Sequence, residues 1–235
     1  MSAIVIAFAS SKGGAGKTTS AFLLATVLAK KDMKVAVIDA DPNHPFGIWK
    51  QQGGQAENLT IIKNENEESI LDDIEEAKKN HQFVIIDLEG TANLSVAYAV
   101  TTSDLVIIPS QRSQLDASEA AKVIGLVKRQ SVVSGREIPA VLLFTRTSPA
   151  IRTKGMRRMQ QSLDTNNVDT FEVEVNEREA FKAIWDYTNT LYQLDHNQVS
   201  GLDKARANAT SFTVEVLTRI QDIRNNKNKK SDEVA

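Results

Sequence analysis

An α/β fold, a mostly parallel twisted sheet with helices on both faces, is what three features of the sequence predict. Strand-like and helical patterns alternate along the chain, the order that builds a parallel sheet with crossover helices. The strand-like runs are apolar and rich in β-branched residues, so they read as buried strands. The first of them leads directly into a glycine-rich turn and then a helix, the order of a phosphate-binding loop.

The first strand spans residues 3–9, and the first helix spans 18–31 with Phe22, Leu23, Val27 and Leu28 at helical spacing. Between them lies the turn that carries Gly13, Gly14, Ala15, Gly16, Lys17, Thr18 and Thr19. In such a turn consecutive backbone N–H groups point at a polyphosphate, and the helix N-terminus adds its partial positive charge. Lys17 is expected on the β- and γ-phosphates and the Thr18 hydroxyl on Mg²⁺. The glycine of the general pattern, five positions before Gly16, is replaced by Ser11, and a second lysine, Lys12, follows it.

The second strand, residues 34–39, ends in Asp39, Ala40, Asp41 and Pro42. Two carboxylates at the carboxyl end of a strand beside the phosphate loop lie where open α/β sheets bind ligands. Residues 46–55 read as a short helix and loop, and residues 59–63 as a short strand. Residues 67–80 form a surface helix with Ile70, Leu71, Ile74 and Ala77 on one face. Residues 83–87 are four apolar residues and a terminal Asp87, a Walker B pattern suited to holding Mg²⁺ directly or through water. A further strand at 105–109 precedes a long helix with Asp116 near its cap.

A strand at 138–144 runs into Thr145 and Arg146, residues 168–175 read as the last strand, and Phe181, Ile184 and Trp185 are expected in the core. The closing helix, 202–225, repeats Phe212, Val216, Ile220 and Ile223 at helical spacing. A single domain, residues 1–224, and a disordered polar tail, 225–235, are therefore expected.

Composition narrows the functions open to such a fold. The chain has 235 residues, no cysteine and a formal net charge of −2. Disulfides, thiolate metal sites and cysteine-ligated Fe–S clusters are thereby excluded. Overall charge gives no argument for nucleic acid, so only local clusters could. Residues 146–158 contain Arg146, Arg152, Lys154, Arg157 and Arg158 and no acid. They read either as a solvated helix face or as a backbone-directed, salt-sensitive DNA contact. Arg219 and Arg224, with Lys227, Lys229 and Lys230, make a second basic cluster. The sequence offers no run of about 18 apolar residues and no secretion signal at its start, so a cytoplasmic location is expected.

The run of residues 12–19, Lys-Gly-Gly-Ala-Gly-Lys-Thr-Thr, resembles the deviant Walker A box of the ParA/MinD family. Residues 37–42, 106–116 and 176–185 also resemble that family's later motifs. The chain is similar to the short form of ParA and to the ParA-like ATPase of T-DNA transfer. The resemblance implies a Mg²⁺-dependent ATPase that forms a homodimer around two ATP molecules, with Lys12 of each subunit reaching the other's phosphates. Lys12, Lys17 and Asp41 would serve hydrolysis, with Asp41 positioning the attacking water. Thr18, Asp39 and Asp87 would hold the magnesium, and Thr145 and Arg146 would approach the adenine. Arg178 would approach the nucleotide or the partner subunit.

The implied biology is non-specific DNA binding in the ATP state, association with the nucleoid, and plasmid partition or cargo positioning stimulated by a ParB-like partner. Recruitment of transfer DNA with a relaxosome-type partner is the alternative, and a metabolic enzyme of the dethiobiotin synthetase type is a third reading. Membrane attachment is not expected, because no basic amphipathic helix closes the chain. One departure is visible: relatives often continue the Walker B aspartate with Pro-Pro or Pro-Gly after one residue, and here Asp87 is followed by Leu88, Glu89 and Gly90.

Overall fold

The computed structural model describes residues 2–90, 94–148, 161, 163 and 165–232. Its strands are β1 (Ile4–Phe8), β2 (Val35–Ala40), β3 (Leu59–Lys63), β4 (Phe83–Leu88), β5 (Leu105–Ser110), β6 (Ala140–Thr147) and β7 (Val175–Asn176). They form one sheet in the order β3-β2-β4-β1-β5-β6-β7, and every pairing is parallel. The helices are α1 (Lys17–Lys30), α2 (Pro45–Gln51), α3 (Ile70–Asn80), α4 (Leu94–Thr102), α5 (Gln114–Ser134), α6 (Glu179–Asp186) and α7 (Leu202–Asp232). This is the predicted parallel sheet with a helical layer on each face.

Alternation along the strands sorts side chains into two cores, because successive Cβ atoms point to opposite faces. Ile4, Ile6, Phe8, Val35, Val37, Ile85 and Ile107 pack with residues of α1, α2, α6 and α7. Val5, Ala7, Ala36, Ile38, Val84, Ile86 and Ile108 pack with α3, α4 and α5. Helix α1 is apolar over most of its circumference because α7 lies across it. Ala21, Phe22, Leu23, Leu24, Ala25 and Leu28 have no exposed surface. Each large side chain so buried contributes about 1.5–3 kcal/mol.

Register brings the chemistry to one edge. Phe8 is level with Asp87, and Asp39 is level with Asp87, so the ends of β1, β2 and β4 converge where the chain leaves β1 for the glycine-rich turn. Strand β1 sits at the centre, with β4 and β2 on one side and β5 and β6 on the other. A reversal of this kind opens a crevice at the carboxyl ends of the strands.

Three expectations change. Residues 168–175 are not one strand: Thr170 makes an isolated bridge to Leu142, and only Val175 and Asn176 join the sheet. The backbone N–H groups of Glu172 and Val173 donate instead to the Glu215 carboxylate on α7, at 2.9 and 2.8 Å. Helix α4, which the sequence reading passed over, covers β1 and β4. The last helix continues to Asp232, so residues 225–232 are helical rather than a disordered tail; no Gly or Pro interrupts them, and adding a turn to an existing helix avoids the cost of nucleation. Among the described residues no helix is long and apolar enough to cross a membrane.

Candidate functional site

The glycine-rich turn takes its shape from two left-handed residues, Gly14 at φ 77° and Gly16 at φ 90°. Gly16 is also the N-cap of α1. A Cβ on it would be strained by that φ and would come within 3.1 Å of the Thr145 side chain. Side chains from three places hold the turn's carbonyls. The Ser10 hydroxyl donates to Lys12 O at 2.9 Å, Gln111 Nε2 to Gly14 O at 3.2 Å, and the Thr145 hydroxyl to Ala15 O at 2.7 Å. In a trans peptide the N–H points opposite to the C=O. Fixing these three carbonyls therefore directs the N–H groups of Gly13, Ala15 and Gly16 to the other side, as an anion-binding concavity requires.

Lys17 opens α1 with only 6% of its surface exposed. Below it, Asp87 is fully buried, and neither of its carboxylate oxygens has a hydrogen-bond partner. Burial pushes the Asp87 carboxyl up to about 7, helped by the charges of Asp39 and Asp41 and opposed by the Thr18 hydroxyl and Lys17. Asp39 is also fully buried. Its Oδ2 accepts the Gly47 N–H at 2.9 Å, and its Oδ1 is unpartnered. Burial raises its pKa against the pull of the Gly47 amide and His44.

Asp41 is more open. Its Oδ1 accepts both the backbone N–H of Asn43, at 2.9 Å, and the Asn43 side-chain amide, at 3.0 Å, an Asx turn. One carboxylate oxygen, Oδ1, thus shapes the loop.

Both residues that depart from the general loop pattern are held by α5. Lys12 Nζ lies 3.0 Å from Asp116 Oδ1, and the Ser11 hydroxyl donates to the Glu119 carboxylate at 2.8 Å. Asp116 also accepts from the Ser113 hydroxyl, while Ser113 Oγ caps the helix by accepting Asp116 N–H at 3.1 Å. Burial alone would raise the Asp116 carboxyl, but Ser113 and Lys12 outweigh it and hold it below the usual carboxylate range. Sequence reasoning saw Asp116 only as a residue near the helix cap and missed Glu119; the structure shows Ser113 as the cap, and nothing local in the sequence identified the partner of Lys12.

Thr145 touches the loop through Ala15 O, and Arg146 lines the cleft beside Gly16. Arg146 has φ 51° beside a register shift between β6 and β7. An L-residue in that region is uncommon and marks a functional bend often enough to be noted. Next to it opens a cleft of about 420 Å³, lined by Gly16, Thr19, Thr145, Arg146, Arg178 and Trp185 among others. Trp185, assigned to the core from the sequence, is only partly buried: it packs on Phe22 at 5.0 Å between ring centroids and also faces this cleft.

The basic clusters fare differently. Arg152, Lys154, Arg157 and Arg158 lie outside the described residues. Arg219 is not a free cation: it pairs with Asp169 at 2.9 Å and Glu215 at 3.0 Å, donates to Thr170 O at 2.6 Å, and lies 4.8 Å from the centre of the Phe171 ring. Arg224 donates to Ser2 O at 3.2 Å.

The sequence model of the family described as VirC1 protein matches residues 3–224. Protein ParA of Rhizobium radiobacter is 34% identical over 218 residues, which cover 93% of this chain and 98% of that protein. Protein virC1 of the same organism is 27% identical over 192 residues, 77% of this chain and 79% of its own length. Among solved structures, a plasmid partition protein of Borrelia burgdorferi bound to AMPPNP has a TM-score of 0.66 at 19% identity, covering 91% of this chain and 99% of that one, a likeness of fold.

Proposed function

This chain belongs to the VirC1 protein family, and from that premise we propose that it is a Mg²⁺-dependent ATPase whose ATP-bound dimer holds DNA without sequence preference. The observation that carries the reading is a glycine-rich turn with two lysines, Lys12 and Lys17, set above two buried, incompletely partnered carboxylates.

The residues present fit both groups. The Gly13, Ala15 and Gly16 amides, the N-terminus of α1 and Lys17 suit a triphosphate. Magnesium takes hard oxygen donors, keeps several waters and is usually held by one or two carboxylates beside substrate phosphates. The unpartnered oxygens of Asp87 and Asp39 and the Thr18 hydroxyl form such a set. When bound, the ion neutralises charge on the phosphates. The Asp41 oxygen not engaged by Asn43 orients a water for attack on the terminal phosphorus. Lys12 sits 44% exposed at the rim; in the dimer it exchanges Asp116 for the phosphates of the partner's nucleotide, a charge delivered in trans.

The cargo is read as a plasmid or another DNA-linked body, because Protein ParA is matched at 34% identity over 98% of its length. A ParB-like protein is the expected stimulating partner. Delivery of transfer DNA with a relaxosome-type partner is the second reading, favoured by the match of the VirC1 family over residues 3–224. A small-molecule ligase finds no support in either relative.

Size-exclusion chromatography tests the scheme. The unaltered chain should move from monomer to dimer on adding ATP and Mg²⁺, Lys17→Ala should bind no ATP, and Asp41→Ala should keep ATP and accumulate as dimer. A chain that stays monomeric in all three would overturn the dimer, and retained ATP affinity in Lys17→Ala would overturn the loop's role.

A further inference from the structure

The turn between β5 and α5 holds the phosphate loop at two points and is itself held at a third. Gln111 Nε2 donates to Gly14 O at 3.2 Å, and Asp116 Oδ1 lies 3.0 Å from Lys12 Nζ. Between these two in sequence stands Arg112, whose partner lies elsewhere. Its Nη2 pairs with Glu174 Oε1, and its Cζ sits 4.0 Å from the centre of the Phe144 ring on β6. Only 17% of the Arg112 side chain is exposed, so this pair is unlike the freely solvated ones that contribute little. A planar guanidinium laid on a buried ring and paired with a carboxylate keeps one orientation.

Glu174 is fixed in turn by α7. Its carbonyl accepts Asn208 Nδ2 at 2.7 Å, Asn208 Oδ1 accepts the N–H of Asn176 at 3.0 Å, and the Glu215 carboxylate takes the N–H groups of Glu172 and Val173. The backbone is thus bound to α7 on both sides of Glu174, and the carboxylate that receives Arg112 projects from a segment with little freedom. On the other side of the pair, Ser113 follows Arg112 directly, caps α5 and donates to Asp116. Where Arg112 is anchored therefore sets where the first turn of α5, and Asp116 with it, stands relative to Lys12.

We infer that Arg112 is a positioning residue for Lys12: paired with Glu174, it holds the first turn of α5 where Asp116 restrains the lysine. Helix α7, which packs on the opposite face of the sheet from α5, thereby gains a hold on Lys12. The restraint needs no ligand; its effect on a dimer rests on the role proposed for Lys12 above.

Labelling of lysines by an amine-acylating reagent, read by mass spectrometry on the nucleotide-free full chain, tests the restraint. Asp116→Asn sets the value for an unrestrained Lys12. Arg112→Ala should raise Lys12 labelling to that value, about fivefold for the loss of a partly exposed pair, and combining it with Asp116→Asn should add nothing further. Lys122, which pairs with Glu119 further along α5, is the control and should label as in the unaltered chain. Lys12 labelling that stays at the unaltered level in Arg112→Ala overturns the inference, as does the absence of any rise in Asp116→Asn. An equal rise at Lys122 also overturns it, because α5 would then have loosened as a whole. If Arg112→Ala does not fold, Glu174→Gln, which keeps the shape of the partner and removes its charge, is read in the same way. With Mg²⁺ and limiting ATP, the same variants should show a larger dimer fraction than the unaltered chain. Release of Lys12 without that gain supports the positioning role and overturns the role of Lys12 in the dimer, so the two failures are told apart.

Discussion

At the scale of single residues, the site is a set of charges held out of their preferred states. Asp87 shows this most clearly. Its ordinary pKa of 3.8 rises to about 7 in the folded chain because burial disfavours the carboxylate. The folded state therefore keeps a proton that the unfolded chain has already lost, so this group's contribution is fully present below the unfolded value and is lost as pH rises through about 7. Thermal unfolding of the nucleotide-free chain should show stability falling between roughly pH 4 and pH 7, and Asp87→Asn should flatten that slope. A slope unchanged in Asp87→Asn would assign the dependence elsewhere. The depressed Asp116 has the opposite sign, its stabilisation being lost only as pH falls below the ordinary value of 3.8, outside this window. Lys12 and Asp116 form a partly exposed pair worth roughly 1 kcal/mol. If Lys12 must leave Asp116 to act across a dimer, Asp116→Asn should raise the dimer fraction at limiting ATP about fivefold; fewer dimers at equal ATP occupancy would show that Asp116 assists the dimer instead.

At the scale of elements, local pattern identified most of the architecture and failed where one element borrowed another's hydrogen bonds. The strands β1, β2, β4 and β5 are legible because burial on both faces demands short apolar runs, and no competing partner for their backbone exists. Residues 168–175 alternate Phe171, Val173 and Val175 with acids, a fair strand pattern, yet the Glu215 carboxylate on α7 takes the consecutive N–H groups of Glu172 and Val173, one of which a strand would offer to β6. Glu215→Ala should therefore lower stability by about 1–3 kcal/mol, measured by denaturant unfolding, through loss of the α7 anchor and of one partner of Arg219. An unchanged midpoint would show that water replaces the carboxylate without penalty. The same network removes Arg219 from the list of free basic groups, although by sequence spacing it belongs with Arg224.

At the scale of the whole molecule, the chain places its anionic-ligand chemistry at one edge of the sheet while its net charge is only −2. The DNA binding proposed above would then come from a local basic face doubled by dimerisation, so retention of duplex DNA should require ATP and fall steeply between about 50 and 200 mM salt. ATP-independent retention, or none at low salt, would count against it.

The glycine turn, Lys17, and the carboxylates Asp39 and Asp87 were readable from the chain alone, because each is a local pattern tied to a strand end. What Lys12 touches was not: Asp116 lies 104 positions away. Nor could the sequence show that Trp185 lines the cleft beside Gly16 as well as packing on Phe22. Backbone geometry is set within a few residues of its cause, whereas the partner of a charge is set by which strands the parallel crossovers bring side by side. So the sequence by itself determined that a phosphate loop is present and what kind of sheet carries it. Only the packed structure decided which acid restrains Lys12 and which acids hold Arg219.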